Sequence, residues 1–275
     1  MTPATPDLVR DLLTFYVESG VDVALDEVPA NRFADPAIAS APLAAPQAQP
    51  PVAKERLAPP PAMPVVSVPV PPPPEEAIMA ARAAARQASS LEELRAIMDA
   101  FEGCALRVTA RQLVFGDGSA QARLMFVGEA PGFEEDQQGV PFVGRSGQLL
   151  DRMLAAIGIA RSDVYIANIV PWRPPGNRDP SIHETQICLP FIQRQIELVD
   201  PQVLVCLGKP STVTLLGVND GIKRLRGRWF TYKAGERDIR AMPTFHPAYL
   251  LRNPIDKRFV WRDFLAIKKA LAGSP

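Results

Sequence analysis

Residues 123–132 read RLMFVGEAPG, and the fold turns on them. Arg123 to Val127 form an apolar run short enough for a buried strand, and the Gly-Glu-Ala-Pro-Gly loop that follows ends it in a way that hydrophobicity alone does not require. A second stretch has the same design. IRAMPTF at 239–245 leads into HPAYLLR at 246–252, which places one of the chain's two histidines at a strand end. In open parallel sheets, chemistry gathers at such ends.

Working outward, VYIANIV at 164–170 and QVLVCL at 202–207 read as two further strands, and 228–233 as an edge hairpin strand. Helical spacing connects them. Over 146–157, Leu149, Leu150, Met153, Leu154 and Ile157 share one face. A second helix is predicted to start at Asp179-Pro180, where Asp caps and Pro suits the first position, and to run to Val199. A short helix follows Gly208, and one over 257–271 closes the chain. The alternation predicts an α/β fold, a three-layer α/β/α sandwich on a mainly parallel four-stranded sheet.

The 275 residues divide unevenly. Fifteen of the 30 prolines fall between Pro29 and Pro74, in a stretch rich in Pro, Ala and Val that has a linker's composition. Before it, Leu8, Val9, Leu12, Leu13, Tyr16 and Val17 are spaced as on a short amphipathic helix. The expected organisation is therefore an N-terminal helical region at 1–28, a Pro/Ala-rich disordered linker at 29–74, and a catalytic domain at 75–275 that begins with a helix. The net charge of zero hides an asymmetry. Residues 1–100 carry 7 Lys and Arg against 13 Asp and Glu, whereas residues 101–275 carry 23 against 17. A basic folded unit suits a phosphate-bearing partner, although such a surplus is often plain solvated surface. Met1-Thr2-Pro3 lacks the start of a signal peptide and no run approaches a membrane span, so a cytoplasmic protein is expected.

Several motifs now converge. GEAPG at 128–132 with Glu135-Asp136, GVPFVG at 139–144, NIV at 168–170, RPPGNR at 173–178 and HPAYLLRNP at 246–254 stand in order over residues 101–275. In these motifs and their spacing the chain resembles the family 4 uracil-DNA glycosylases. The resemblance implies an enzyme of base excision repair acting on uracil-containing DNA, which flips uracil out and hydrolyses its N-glycosidic bond to leave an abasic site; the expectation for this chain is a monofunctional, monomeric enzyme that works without a metal. It implies a uracil pocket made by Gly128, Ala130, Phe142 and Asn168. It also implies catalytic roles for Glu129 and His246, and DNA contacts from Pro247, Leu250, Leu251 and Arg252; Lys209, at the turn after the third strand, is a candidate DNA contact to phosphate.

The chemistry of those residue types is consistent with these roles. A flipped base must rest on an apolar or aromatic face and be read along its Watson-Crick edge. Phe142 supplies a face, although a Phe between Pro and Val is by itself an ordinary core residue. Asn168 interrupts an apolar strand, and a buried amide must find partners. Its carboxamide can donate to uracil O4 and accept from N3–H, whereas cytosine presents the reverse edge. Loss of the base builds negative charge on its O2, where a donor such as His246 acts, while Glu129 faces the cationic sugar and orients water. Glu135 and Asp136 lie on the same loop and are alternatives for that carboxylate role. His183 reads as a bystander on a polar helix face. Leu250, Leu251 or Arg252 would fill the gap left by the base, as apolar wedges do in other DNA-bending proteins. Lys223, Arg224, Arg226 and Arg228 are candidates for phosphate contacts.

One departure from the family matters. Its members typically hold a four-iron cluster on four cysteines, and the corresponding positions here are Phe101, Cys104, Trp172 and Cys188. Two thiols remain where a cubane takes four ligands, so no cluster is expected, and Phe101 and Trp172 should pack apolar groups instead. Competing motifs are weak. Gly139 to Ser146 nearly spells a phosphate-binding P-loop but carries Arg145 in place of the lysine, and Gly128 to Gly132 lacks dinucleotide-binding glycine spacing. The remaining rival is a non-hydrolytic binder of uracil or abasic DNA on the same fold, with a partner for the N-terminal extension left open. A covalent abasic-site trap is disfavoured because residues 174–178 contain no histidine.

Overall fold

The structure is a computed structural model that describes residues 74–273. The helical region expected at 1–28 and the linker lie outside those residues, except that Pro74 opens the first helix. Two helices lead in, α1 (Pro74–Gln87) and α2 (Leu91–Ala100), the second capped by the Ser90 hydroxyl, which accepts from the Glu93 amide. Then follow α3 (Leu106–Thr109), β1 (Asp117–Gly118), β2 (Leu124–Gly128), α4 (Phe133–Gln138), α5 (Arg145–Ala156) and β3 (Tyr165–Asn168). After these come α6 (Ile182–Val199), β4 (Val203–Leu207), α7 (Lys209–Leu216), α8 (Ile222–Leu225), β5 (Phe230–Ala234), β6 (Arg237–Thr244), α9 (Pro247–Arg252) and α10 (Lys257–Ala272).

The six strands form one sheet in the order β1-β3-β2-β4-β6-β5. The central four run parallel and the two edges antiparallel. The parallel centre has the four strands expected and the edge strand expected at 228–233 is β5, while the two-residue β1 adds a sixth strand at the other edge. Period-two alternation then assigns the faces. Met125 and Val127 of β2 join the core with Ala77, Leu94, Phe191 and Ile196 of α1, α2 and α6. Leu124 and Phe126 point the other way, to Leu150 and Leu154 of α5 and Phe264 and Ile267 of α10. The Phe126 and Phe264 rings stack at 5.8 Å, and truncating such a buried ring costs about 3–5 kcal/mol.

The second long helix starts at Ile182, later than Asp179-Pro180. Ser181 makes the cap, and Glu184 returns its carboxylate to the Ser181 amide in a capping box. Because the central strands are parallel, Gly128, Asn168, Gly208 and His246 all fall at the same edge of the sheet, with Gly128 directly paired to Asn168.

Candidate active site

Two adjoining cavities of about 460 and 470 Å³ open at that edge, and both are lined by Ala130, Pro131, Gly132, Asn177, His246, Ala248 and Arg252. The first also takes in Glu129, Asp179 and Lys209, the second Phe142 and Asn168. A larger cavity of about 550 Å³ lies elsewhere, between α5 and α10, and is walled by Leu149, Met153, Leu250 and Trp261 with no carboxylate or histidine.

Close packing builds the base-sized slot. A Cβ on Gly128 would come within 2.3 Å of Asn168 Oδ1 and 2.6 Å of Phe142 Cζ, so glycine is what lets the two side chains meet over the end of β2. Both are buried. The Asn168 Oδ1 atom is the single buried side-chain polar atom among the described residues without a hydrogen-bond partner. Leaving a buried acceptor empty costs about 1–3 kcal/mol, a penalty that a ligand N–H aimed at it removes. The Phe142 ring lies 5.4 Å from the His246 ring, tilted by 35°.

His246 is the N-cap of α9, and its Nδ1 accepts from the Ala248 amide at 3.1 Å. That bond assigns the proton of the neutral ring to Nε2. Burial, with the Arg252 charge adding to it, lowers the imidazole pKa to about 4. At neutral pH the residue is an uncharged Nε2–H donor.

Glu129 is half-buried on the loop after β2, and burial, reinforced by the negative charge of Asp179, lifts its carboxyl to about 7. The two alternative carboxylates are committed elsewhere. Glu135 accepts from the amides of Gly132, Val143 and Gly144 at 2.9–3.0 Å, tying the two glycine-containing loops together. Asp136 accepts from the Arg111 amide at 2.9 Å. Of the three, Glu129 is the one without such a task.

The outer residues divide. Lys209 and Arg252 are exposed at the cavity mouth. Within the single α9 turn, Pro247 and Leu250 face the core, while Leu251 is 37% exposed. Leu250 is wholly buried, so it is corrected from a DNA contact to a core residue that anchors α9, leaving Leu251 and Arg252 pointing outward. Pro247 is corrected in the same sense. The expected basic cluster also breaks up, because the Arg226 guanidinium is paired to the buried Asp263 and donates to the Phe259 carbonyl. Sequence reasoning missed Asp179, whose effect on Glu129 arises across space, and Arg161, which reaches the Phe142 loop from a separate turn. No local pattern signals either.

The corner that the resemblance equates with the family's iron-sulfur site contains Cys104 and Cys188 with their sulfur atoms 4.0 Å apart, both buried. Trp172 is wholly buried there, and Phe101 packs edge-on against Phe191 at 5.0 Å. Burial holds the Cys188 thiol well above its usual pKa. Two thiols and two rings are not the donor set of a four-iron cluster, and the residues do not fit one.

The α/β fold on a mainly parallel sheet is consistent with what sequence comparisons show. The profile of the Uracil DNA glycosylase superfamily matches residues 115–265, and the chain belongs to that superfamily. Its relatives narrow the class. The chain is 41% identical over 177 residues to the Type-4 uracil-DNA glycosylase of Saccharolobus solfataricus, covering 62% of this chain and 82% of that one. It is 44% identical over 151 residues to the Type-4 uracil-DNA glycosylase of Thermotoga maritima, covering 54% and 77% respectively. The enzyme of the same name from Sulfurisphaera tokodaii is 40% identical over 185 residues, 66% of this chain and 84% of its own. No helix among the described residues is long and apolar enough to cross a membrane.

Proposed function

We propose that this protein is a monofunctional uracil-DNA glycosylase that works as a monomer, with Asn168, Phe142, His246 and Glu129 as its working residues. The observation that carries the reading is the orphaned Asn168 Oδ1 beside an aromatic ring, at the edge of the sheet where a neutral histidine waits. Uracil flipped into the slot stacks on Phe142. Its N3–H reaches Asn168 Oδ1, and its O4 accepts from the Asn168 amide. Cytosine offers an acceptor at N3 and a donor at N4, which leaves the same amide mismatched in the orientation the slot favours.

The C1′–N1 bond then breaks, its electron pair passing to the base and concentrating on O2. His246 Nε2–H donates to that oxygen as a neutral hydrogen-bond donor, stabilising the charge that develops there without transferring its proton. Glu129, as carboxylate, faces the oxocarbenium sugar and accepts a proton as water adds to C1′. Uracil leaves and an abasic site remains. Lys209 and Arg252 face phosphates, and Leu251 occupies the gap in the base stack.

We also read the protein as independent of an iron-sulfur cluster, with ring packing at Phe101 and Trp172 stabilising the corner. Its three cysteines are unpaired, as suits a reducing cytoplasm. The test is single-turnover incubation with chelator and end-labelled oligonucleotides carrying one uracil, thymine or cytosine, followed by alkaline cleavage. Strand breaks at uracil alone are expected. Uracil-dependent binding without breaks would instead make the protein a lesion binder, and iron bound in stoichiometric amount after anaerobic purification would overturn the cluster-free reading.

A further inference from the structure

Phe142 has φ of 54°, left-handed backbone that a bulky side chain rarely adopts and that persists only where its surroundings enforce it. Two contacts do so. From α5, Gly147 comes so close that a Cβ there would sit 1.8 Å from the Phe142 carbonyl oxygen. From the turn before β3, Arg161 donates Nη1 to the Phe142 carbonyl at 3.0 Å and Nη2 to the Pro141 carbonyl at 2.7 Å. The same guanidinium is fixed by Asp117 on β1, at 2.7 Å from Nε, and by Asp151 on α5, at 2.8 Å from Nη1.

We propose that Arg161 is a positioning residue for uracil excision, clamping the strained Phe142 backbone so that its ring lies where the flipped base must stack. The inference rests on the reading of Phe142 as the stacking face. The hydrogen bonds of Arg161 go to two carbonyl oxygens and two carboxylates, and it lines neither active-site cavity. Its rigid fork serves four acceptors on three elements at once, which an ammonium cannot reproduce. Without it, the Phe142 peptide is free to relax to negative φ, and the ring leaves its place 5.4 Å from His246.

The test compares wild type, Arg161→Ala and Arg161→Lys as full chains, reading melting temperature, affinity for uracil DNA, single-turnover rate and inhibition by free uracil. A misplaced stacking face should lower the maximal rate of Arg161→Ala roughly 30- to 100-fold. Free uracil should inhibit correspondingly less, while affinity for the DNA stays within about threefold because the phosphate contacts are untouched. Arg161→Lys, which keeps charge but not the fork, should recover little of the rate; if the alanine variant fails to fold, the lysine variant alone must show the loss. A folded variant with wild-type rate overturns the clamp. So does a rate loss with free-uracil inhibition unchanged. A wild type inactive on uracil DNA removes the underlying reading, whereas an active wild type with an equally active Arg161→Ala removes only the clamp.

Discussion

Two regions flank the same sheet and treat polarity in opposite ways. At the strand ends, the slot keeps an unpartnered amide oxygen, a left-handed phenylalanine and a carboxyl lifted to about 7. At the corner holding Cys104 and Cys188, every group is packed: Trp172 is buried, Phe101 meets Phe191 edge-on, and the Cys188 thiol stays protonated in its apolar surroundings. The first region carries unfavourable features, and one of them, the unpartnered Asn168 oxygen, is what a ligand N–H relieves. The second is closed by apolar packing, and the proposed reading assigns excision to the slot and stability to the corner.

That contrast can be broken by substitution, and the expected effects on excision decrease from the slot to the corner. His246→Ala removes the donor to O2 and should slow single-turnover excision about 10²- to 10³-fold, while stability falls only by the lost α9 cap, about 0.5–2 kcal/mol. Equal rates would remove His246 from the mechanism. Gly128→Ala introduces a Cβ into the 2.3 Å gap before Asn168, and rapid-quench assays should show roughly 100-fold slower excision with DNA affinity retained.

Acid acts through Glu129. Its carboxylate form is the active one, so with a pKa of about 7 in the free protein the rate should rise with pH through neutrality, falling about fivefold from pH 7 to pH 6. His246, lowered to about 4, stays neutral throughout that window and adds no second limb. Glu129→Gln should be slow and flat with pH; a wild-type profile that is already flat would detach the carboxylate from catalysis. Last, Trp172→Ala should destabilise the fold by about 3–5 kcal/mol in denaturant titration while the folded fraction excises uracil within about twofold of wild type. A large rate loss there would mean the corner and the slot are coupled.

The strands that carry the candidate site were legible because their apolar runs are short and unmistakable: 123–128, 202–207 and 239–245 all became parallel strands of the centre. What was not legible depends on tertiary position. The two residues of β1 pair only because β3 lies beside them, and no period can show in so short a segment. Leu250 and Leu251 are neighbours of identical type, and only the one-turn geometry of α9 turns one inward and the other out. The start of α6 moved to Ser181 because a reciprocal cap with Glu184 outcompeted Asp179-Pro180. Arg161 is one arginine among many in sequence, and its four acceptors come from segments that only the folded chain assembles.

The most direct test of the slot is the single-turnover rate of Asn168→Ala on uracil DNA, with circular dichroism confirming its fold. An amide that reads the base edge predicts a loss of about 100-fold, because N3–H and O4 lose their partners while the Phe142 face remains. A folded Asn168→Ala that excises uracil as fast as wild type would contradict the account, because the orphaned acceptor would then have no substrate to satisfy it.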